Sequence, residues 1–436
     1  MTSPTTLRPS IEDFRRFGWL PASKKDYDDW MSDLHKRIHP EAKRMPGPGT
    51  PYTTAPDMPP LLEPIQEFKA FIEGDAVVFT DIVRMFDGMT EFPKSYQEML
   101  LMFNDIFRKA PSFGSIGPPM YMIMARVMNT QGGLSAFTKQ SLNYHFKQMM
   151  KTWELYLLSP ESTSTLNANN GGWFSDKAVG AMMEKYESER KFWDVFICDP
   201  NAPAWGFTSY EDFFTRRYRD VAIDRPTGDI QDLRCISSAC ESALYAIKTE
   251  VKKTDELFIK DEAYSLVHLL AGDKSVDSFV GGLVIQSFLN TTGYHRWHAP
   301  VSGTVLKIVD VPGTYFAQAP SLIGEDTPEG EVPPYLRSLT FFANTAARQL
   351  LFIDADNKNI GLMCFIAIGM TEISSCQATV YEGQHVNRGQ ELGTFHFGGS
   401  SCALVFRKEA NVQVGQEFTN PGVHLPINET IAFAEI

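Results

Sequence analysis

The stretch Leu-Gly-Thr-Phe-His-Phe-Gly-Gly-Ser-Ser-Cys-Ala-Leu-Val-Phe, residues 392–406, decides how this chain is read. Residues 394–396 and 402–406 read as strands, and Gly398, Gly399, Ser400 and Ser401 stand between them. Two glycines and two serines in that place make a tight turn, because glycine accepts positive φ and serine bonds the local backbone. The same residues admit a second reading. A serine hydroxyl in a strained turn can attack the carbonyl before it, turning the Gly399–Ser400 amide into an ester. Small residues let the hydroxyl reach that carbon, and a nearby base must take its proton.

Outward from this stretch, the chain after about residue 200 breaks into short runs bounded by Gly, Pro and Asn: 243–251, 303–311, 339–343, 350–354, 361–370, 378–381 and 402–407. Several alternate apolar with polar or are rich in β-branched residues, so they are predicted to be strands of a β-rich domain. Gly383 and Gly389, in YEGQHVNRGQELG, are expected at turns.

The texture before residue 200 is different. Apolar residues recur at helical spacing at Ile65, Phe68 and Ile72, at Val78, Ile82 and Met85, and at Tyr96, Leu100, Phe103 and Phe107. The clearest stripe is Leu142, Phe146, Met149, Trp153 and Tyr156, and such stripes face a core. Residues 1–60 read as a partly irregular arm. Seven prolines and two glycines between Pro40 and Pro60 exclude a regular element there. One or two short helices are predicted within 11–39, with Phe14, Trp19 and Trp30 as anchors. The fold class is therefore α+β: an arm (1–60), a helical region (61–200) and a β-rich catalytic domain (201–436).

Composition narrows the function. The chain has 436 residues, 40 Lys+Arg against 53 Asp+Glu, and a net charge of -13, which lacks the basic footprint of a nucleic-acid binder. The apolar run 360–373 is too short to span a bilayer, and residues 1–19 lack the apolar core of a signal peptide. No stable membrane insertion and a cytoplasmic location are expected. Six scattered cysteines show neither CxxC nor zinc-ligand spacing, so reduced thiols and no metal are expected. Dinucleotide, P-loop, zinc-protease and nucleophile-elbow motifs are missing. One further constellation is Tyr294-His295-Arg296-Trp297-His298-Ala299-Pro300. By chemistry alone its histidines suit a structural cluster, acid–base work or a metal.

Taken together, the motifs resemble those of phosphatidylserine decarboxylases. YHRWHAPVSGTV is similar to that family's YHR-x-H-x-P-x-x-G segment, and LGTFHFGGSS to its cleavage segment. Asp212-Phe213-Phe214-Thr215-Arg216 and Asp224-Arg225-Pro226 resemble its FFxR and RP stretches, in the same order. PIQEFKAFIE, YQEMLLMFNDIFRKAP and GPPMYMIMARVMNT resemble the helical extension of a fungal branch that includes the L-tryptophan decarboxylases of the psilocybin pathway.

The resemblance implies self-cleavage between Gly399 and Ser400, giving a β chain (1–399) and an α chain (400–436) whose Ser400 becomes a pyruvoyl group. That group would replace pyridoxal phosphate, forming a Schiff base with a small amino-acid substrate. It also implies that His298 is the base of an Asp-His-Ser relay and that His295 serves the decarboxylation. The relay Asp is missing: Cys240 stands in its place within ISSACES (236–242), with Glu241 next to it as substitute, or another carboxylate, or only a dyad. A one-residue shift along a strand turns the side chain to the other face, which counts against Glu241. Phe288, Tyr294, Trp297 and Phe316 are candidates for an aromatic pocket, though most are expected to be core. The implied activity is decarboxylation of a free aromatic L-amino acid, L-tryptophan foremost. Phosphatidylserine is the alternative substrate, and a non-catalytic binding protein the remote alternative.

Overall fold

The computed structural model describes residues 8–42, 60–114, 117–256, 263–328, 330–372, 375–397 and 399–435. Most of the Pro-rich segment, together with Ile373 and Gly398, lies outside the described residues. Helices fill the first part: α1 (Ile11–Arg16), α2 (Lys24–Ala42), α3 (Glu63–Gly74), α4 (Ala76–Arg84), α5 (Tyr96–Ile106), α6 (Pro119–Met124), α7 (Gln131–Phe137) and α8 (Gln140–Leu157). Their starts are written in the sequence. Ser10 and Asp13 form a reciprocal capping box, Asp75 and Ser95 cap α4 and α5, and Pro64 sits in the first turn of α3. On α8 the buried stripe is Leu142, Phe146, Met149, Trp153 and Leu157, while Tyr156 turns half out.

The strands are β1 (Cys235–Ser237), β2 (Ser242–Lys248), β3 (Leu283–Leu289), β4 (Arg296–His298), β5 (Gly303–Val311), β6 (Arg348–Ala355) and β7 (Leu362–Met370). They continue with β8 (Cys376–Ala378), β9 (His385–Val386), β10 (Glu391–Phe395), β11 (Gly399–Phe406), β12 (Gln413–Val414), β13 (His424–Leu425) and β14 (Thr430–Phe433). One antiparallel sheet of eight runs in the order β13-β2-β3-β11-β7-β6-β5-β9, and two sheets of three, β4-β10-β8 and β1-β14-β12, lie apart from it. Two expected strands differ. The run 339–343 belongs to a helix, Leu339–Thr345, because a short apolar run carries no periodicity that separates strand from buried helix. The run 378–381 begins where β8 ends.

The centre of the large sheet is buried on both faces. Along β7, Cys364, Ile366, Ile368 and Met370 join the core shared with the helices, while Met363, Phe365 and Ala367 join a second core under the small sheets. Along β11, Ala403 and Val405 face the helices, and Cys402, Leu404 and Phe406 face the other way. A strand covered on both sides reads as a continuous apolar run, which is why 360–373 looked so hydrophobic. The helical core runs without a break from Phe14 to Val405 and Ile427. The N-terminal helices join it through β3: Phe14 stacks on Phe288 at 4.8 Å, and the Trp19 indole donates to the Leu289 carbonyl at 2.8 Å.

Phe14 is 1% exposed. Phe14→Ala is expected to lower stability by about 3–5 kcal/mol, seen as a lower denaturant midpoint with an unchanged slope.

Candidate functional site

The site forms where two crossings between sheets meet. The chain leaves the large sheet at β3 and enters the small sheet at β4 through residues 290–295. It leaves the small sheet at β10 and returns at β11 through 396–398. The crossings touch: the Phe395 N–H donates to the His295 carbonyl at 2.9 Å. In the small sheet, β10 pairs with β4, so Glu391 lies opposite His298 and Thr394 opposite Arg296. Gly393 is glycine because a Cβ there would lie 2.4 Å from the Gln377 carbonyl and 2.5 Å from the Trp297 ring.

The turn expected at 398–401 is shorter than its sequence suggests. Gly399 and Ser400 already belong to β11, opposite Met370 and Gly369 of β7. The Ser401 hydroxyl donates to the Ser287 carbonyl at 2.9 Å and accepts from the Gln286 amide at 3.0 Å. Ser400 is fully buried, and its hydroxyl has no hydrogen-bond partner among the described residues. The two-residue period sets it on the face of Cys402 and Leu404, toward the small sheets. A buried hydroxyl without a partner costs about 1–3 kcal/mol, so its presence asks for a chemical reason.

The FFTR stretch builds the wall around His295. Phe214 ends the helix Tyr210–Phe214 and stacks on the His295 ring at 3.8 Å and 19°. Buried Arg216 donates to the carbonyls of Thr292 and Gly293 at 2.7 and 2.8 Å, tying down the first crossing. His295 is fully buried, and neither ring nitrogen has a hydrogen-bond partner among the described residues. Burial, with the Arg216 guanidinium adding to it, pushes this imidazole down to about 3, against a weak opposite pull from nearby backbone carbonyls. His295 is neutral at pH 7.

His298 is oriented by two partners. Its Nδ1 lies 3.2 Å from Asn428 Oδ1, and its Nε2 lies 3.0 Å from the Tyr294 hydroxyl. The Asn428 amide is itself fixed, because its Nδ2 donates to the Arg225 carbonyl at 3.0 Å. That leaves Oδ1 to accept from Nδ1–H, so Nε2 carries the lone pair and receives the Tyr294 O–H. Asn428 adopts φ +70°, a left-handed conformation that asparagine accepts more readily than most residues. Burial lowers His298 to about 4.

Neither residue weighed for the third relay position reaches His298. The Ala239 carbonyl accepts from the His298 N–H at 2.8 Å, so Cys240 lies beside it in the chain. The Cys240 thiol is buried, and burial raises it well above the ordinary thiol range. Glu241, at the bend between β1 and β2, turns to other partners. Its carboxylate takes Arg225 in two bonds of 2.8 and 2.7 Å, His424 at 2.8 Å and the Ile427 N–H at 3.1 Å. Burial alone would raise this carboxyl, but Arg225 and His424 overcome it and hold it down to about 2. Glu241 thus acts on His298 only at a distance, by fixing Arg225, whose carbonyl fixes Asn428. The residue sequence reasoning missed is Asn428, which stands in no recognisable motif. Phe288, Tyr294, Trp297 and Phe316 are buried core, and only Tyr294 touches a site histidine.

A second buried carboxylate holds the other crossing. Glu211 pairs with His396 Nδ1 at 2.9 Å and accepts the Phe397 N–H at 3.2 Å, while His396 Nε2 lies 2.7 Å from Gln377 Oε1. Among the described residues no group of three or more His, Cys, Asp or Glu is placed to hold a metal ion, and no helix is long and apolar enough to cross a membrane.

With the geometry in view, comparison with known proteins gives the family. A phosphatidylserine decarboxylase family model matches residues 210–432, and a second model of that description matches 62–182. The chain is 50% identical over 435 residues to an L-tryptophan decarboxylase of Psilocybe cubensis and 52% identical over 435 residues to one of Psilocybe cyanescens. Each match covers 98% of this chain and 96% of the relative. A decarboxylase of Amanita muscaria is 39% identical over 72% of this chain and 91% of its own length. The chain belongs to the phosphatidylserine decarboxylase family, whose members are self-cleaving and pyruvoyl-dependent.

The Arg225–Glu241 pair carries a stability prediction. The Glu241 carboxyl is held at about 2 in the fold against an ordinary 4.5. Its contribution is therefore full above about pH 4.5 and is lost as pH falls toward 2. Arg225→Ala leaves the buried Glu241 carboxylate with only His424 and the Ile427 N–H, and is expected to cost about 3–5 kcal/mol near pH 7. Denaturant unfolding across pH 2–7 checks both.

Proposed function

We propose that the chain is a pyruvoyl-dependent decarboxylase that cuts itself between Gly399 and Ser400 and converts a free aromatic L-amino acid, L-tryptophan foremost, to the amine and CO2. The observation that carries this reading is the likeness, over nearly the whole chain, to two proteins named L-tryptophan decarboxylase. The geometry supports it. The bond to be cut is clamped in a sheet, the Ser400 hydroxyl beside it is buried without a partner, and a histidine of defined tautomer stands in the neighbouring sheet.

In the cut, Ser400 Oγ loses its proton to His298 and bonds the Gly399 carbonyl carbon. The Gly399–Ser400 C–N bond breaks, and the nitrogen takes a proton. His298 is suited to the task because Asn428 keeps Nδ1 protonated and leaves the lone pair on Nε2, which takes the serine proton once the Tyr294 O–H turns away from it. An amide orients the ring as a carboxylate would, but adds no charge to stabilise the imidazolium. Loss of the Ser400 Cα proton then expels the Gly399 carboxylate from Cβ, leaving a dehydroalanine amine. Its imine tautomer takes up water and releases ammonia, leaving the ketone of a pyruvoyl group. When formed, that group supplies an electron-withdrawing carbonyl to a substrate amine, the task pyridoxal phosphate performs elsewhere. His295, neutral at pH 7, offers an N–H to the substrate and holds a proton for return to it.

Intact mass is expected to show residues 1–399 and 400–436 as separate chains, and Ser400→Ala to remain whole and without activity. A single full-length species that turns over tryptophan would overturn the reading. Incubation with tryptophan and with phosphatidylserine vesicles separates the substrates, and turnover of lipid alone would reject the amino-acid assignment. Only neutral His298 accepts a proton, so self-cleavage should be flat from about pH 8 to 5 and fall toward pH 4. Asn428→Ala should slow it by about 10–100-fold, measured as the decay of the full-length band.

A further inference from the structure

Two cavities have Phe397 in their lining. One, of about 240 Å³, is walled by Met150, Trp153, Leu157 and Tyr315; the other, of about 330 Å³, by Phe113, Trp173, Tyr210 and Thr292. Three rings hold Phe397 edge to face: Trp153 at 5.1 Å and 75°, Tyr210 at 5.3 Å and 74°, and Phe214 at 5.5 Å and 70°. This is the favoured geometry for an aromatic guest in an aromatic cage. The cage draws on the helical region through Trp153 of α8 and on the FFTR stretch through Phe214, which also carries His295 on its other contacts.

Phe397 stands three residues before Ser400, so its Cα lies within about 11 Å of the Ser400 Cα. In the uncut chain it is tied on both sides. His396 and its own N–H are held by Glu211, and the chain beyond runs into β11. A cut after Gly399 separates Phe397 from the rest of β11 and leaves it third from a free end, with only Gly399 opposite Met370 on that side. The two cavities beside it give a displaced ring somewhere to go.

We propose that Phe397 is a place-holder: its ring occupies, in the uncut chain, the site that the aromatic ring of the substrate takes once the chain is cut, with Trp153, Tyr210 and Phe214 as the walls that select an aromatic amino acid. This rests on the cut at Gly399–Ser400 proposed above. Tyr210 gives it an independent support. Its hydroxyl is buried without a hydrogen-bond partner among the described residues, and the residue lines the second cavity. A phenyl ring offers it nothing, whereas an indole brings an N–H donor.

The test is a KM whose direction of change separates a plug from a wall. Intact mass first establishes that Phe397→Ala is cut. A plug competes with substrate and lowers the fraction of open sites, so its removal should lower KM for L-tryptophan about threefold or more. A KM that stays the same or rises shows a wall and overturns the proposal. Should the variant stay whole, indole binding by calorimetry to two uncut proteins decides. Ser400→Ala/Phe397→Ala should bind indole at least about tenfold more tightly than Ser400→Ala, since three aromatic contacts exceed the roughly 1.4 kcal/mol of a tenfold change. Equal binding overturns the proposal. A wild-type chain that turns over tryptophan without being cut sinks the cleavage reading instead, and the indole comparison still reports on the cage.

Discussion

The ladder that β11 makes with β3 on one side and β7 on the other is the constraint on which everything else turns. Residues 401–406 pair with β3, and residues 399–406 with β7. A strand in the middle of an eight-stranded sheet, buried on both faces, keeps its neighbours whether or not a covalent bond precedes it. The segment after Ser400 is held again by β13 against β2 and by β14 against β1. The proposed cut therefore costs the fold no paired strand, and the new end stays where chemistry needs it.

Around that strand, charge is organised to fix positions and not to react. Arg216 ties one crossing, Glu211 ties the other, and Arg225 with Glu241 anchors the loop that carries Asn428. Each is a buried charge held by several bonds, although Arg216 Nε has no partner among the described residues, and loss of a partner is expensive. Ser400 and His295, the groups proposed to react, are neutral and have no hydrogen-bond partner among the described residues. The site separates scaffold from reagent by charge.

Much of this was legible in the sequence. The capped helices, the α8 stripe, β5 and the apolar β7 follow from local periodicity, and the two motifs that meet at the crossings were visible as Tyr294–Pro300 and Phe397–Cys402. The run at 339–343 was misread because five apolar or hydroxyl residues fit a strand and a buried helix equally. The third relay member was left open in the sequence for another reason. Replacing an aspartate with Cys240 draws the eye to Glu241 beside it, but at this bend the neighbour in sequence turns to other partners. The group that orients His298 comes from 130 positions away, and only pairing across the small sheets reveals it. The aromatic cage was equally hidden, since its three walls come from distant segments.

The position of Asn428 has a consequence for when the chain can react. Ser400 and His298 are both made before it, yet the ring of His298 has no fixed tautomer until residue 428 is in place, and β11 cannot be flanked by its neighbours until it has been synthesised itself. The orienting amide thus lies downstream of the bond proposed to break. A chain still on the ribosome, or one truncated by a premature stop, holds nucleophile and base but not the group that aligns them. Full alignment of the proposed base thus waits until residue 428 has been made, well after the bond itself.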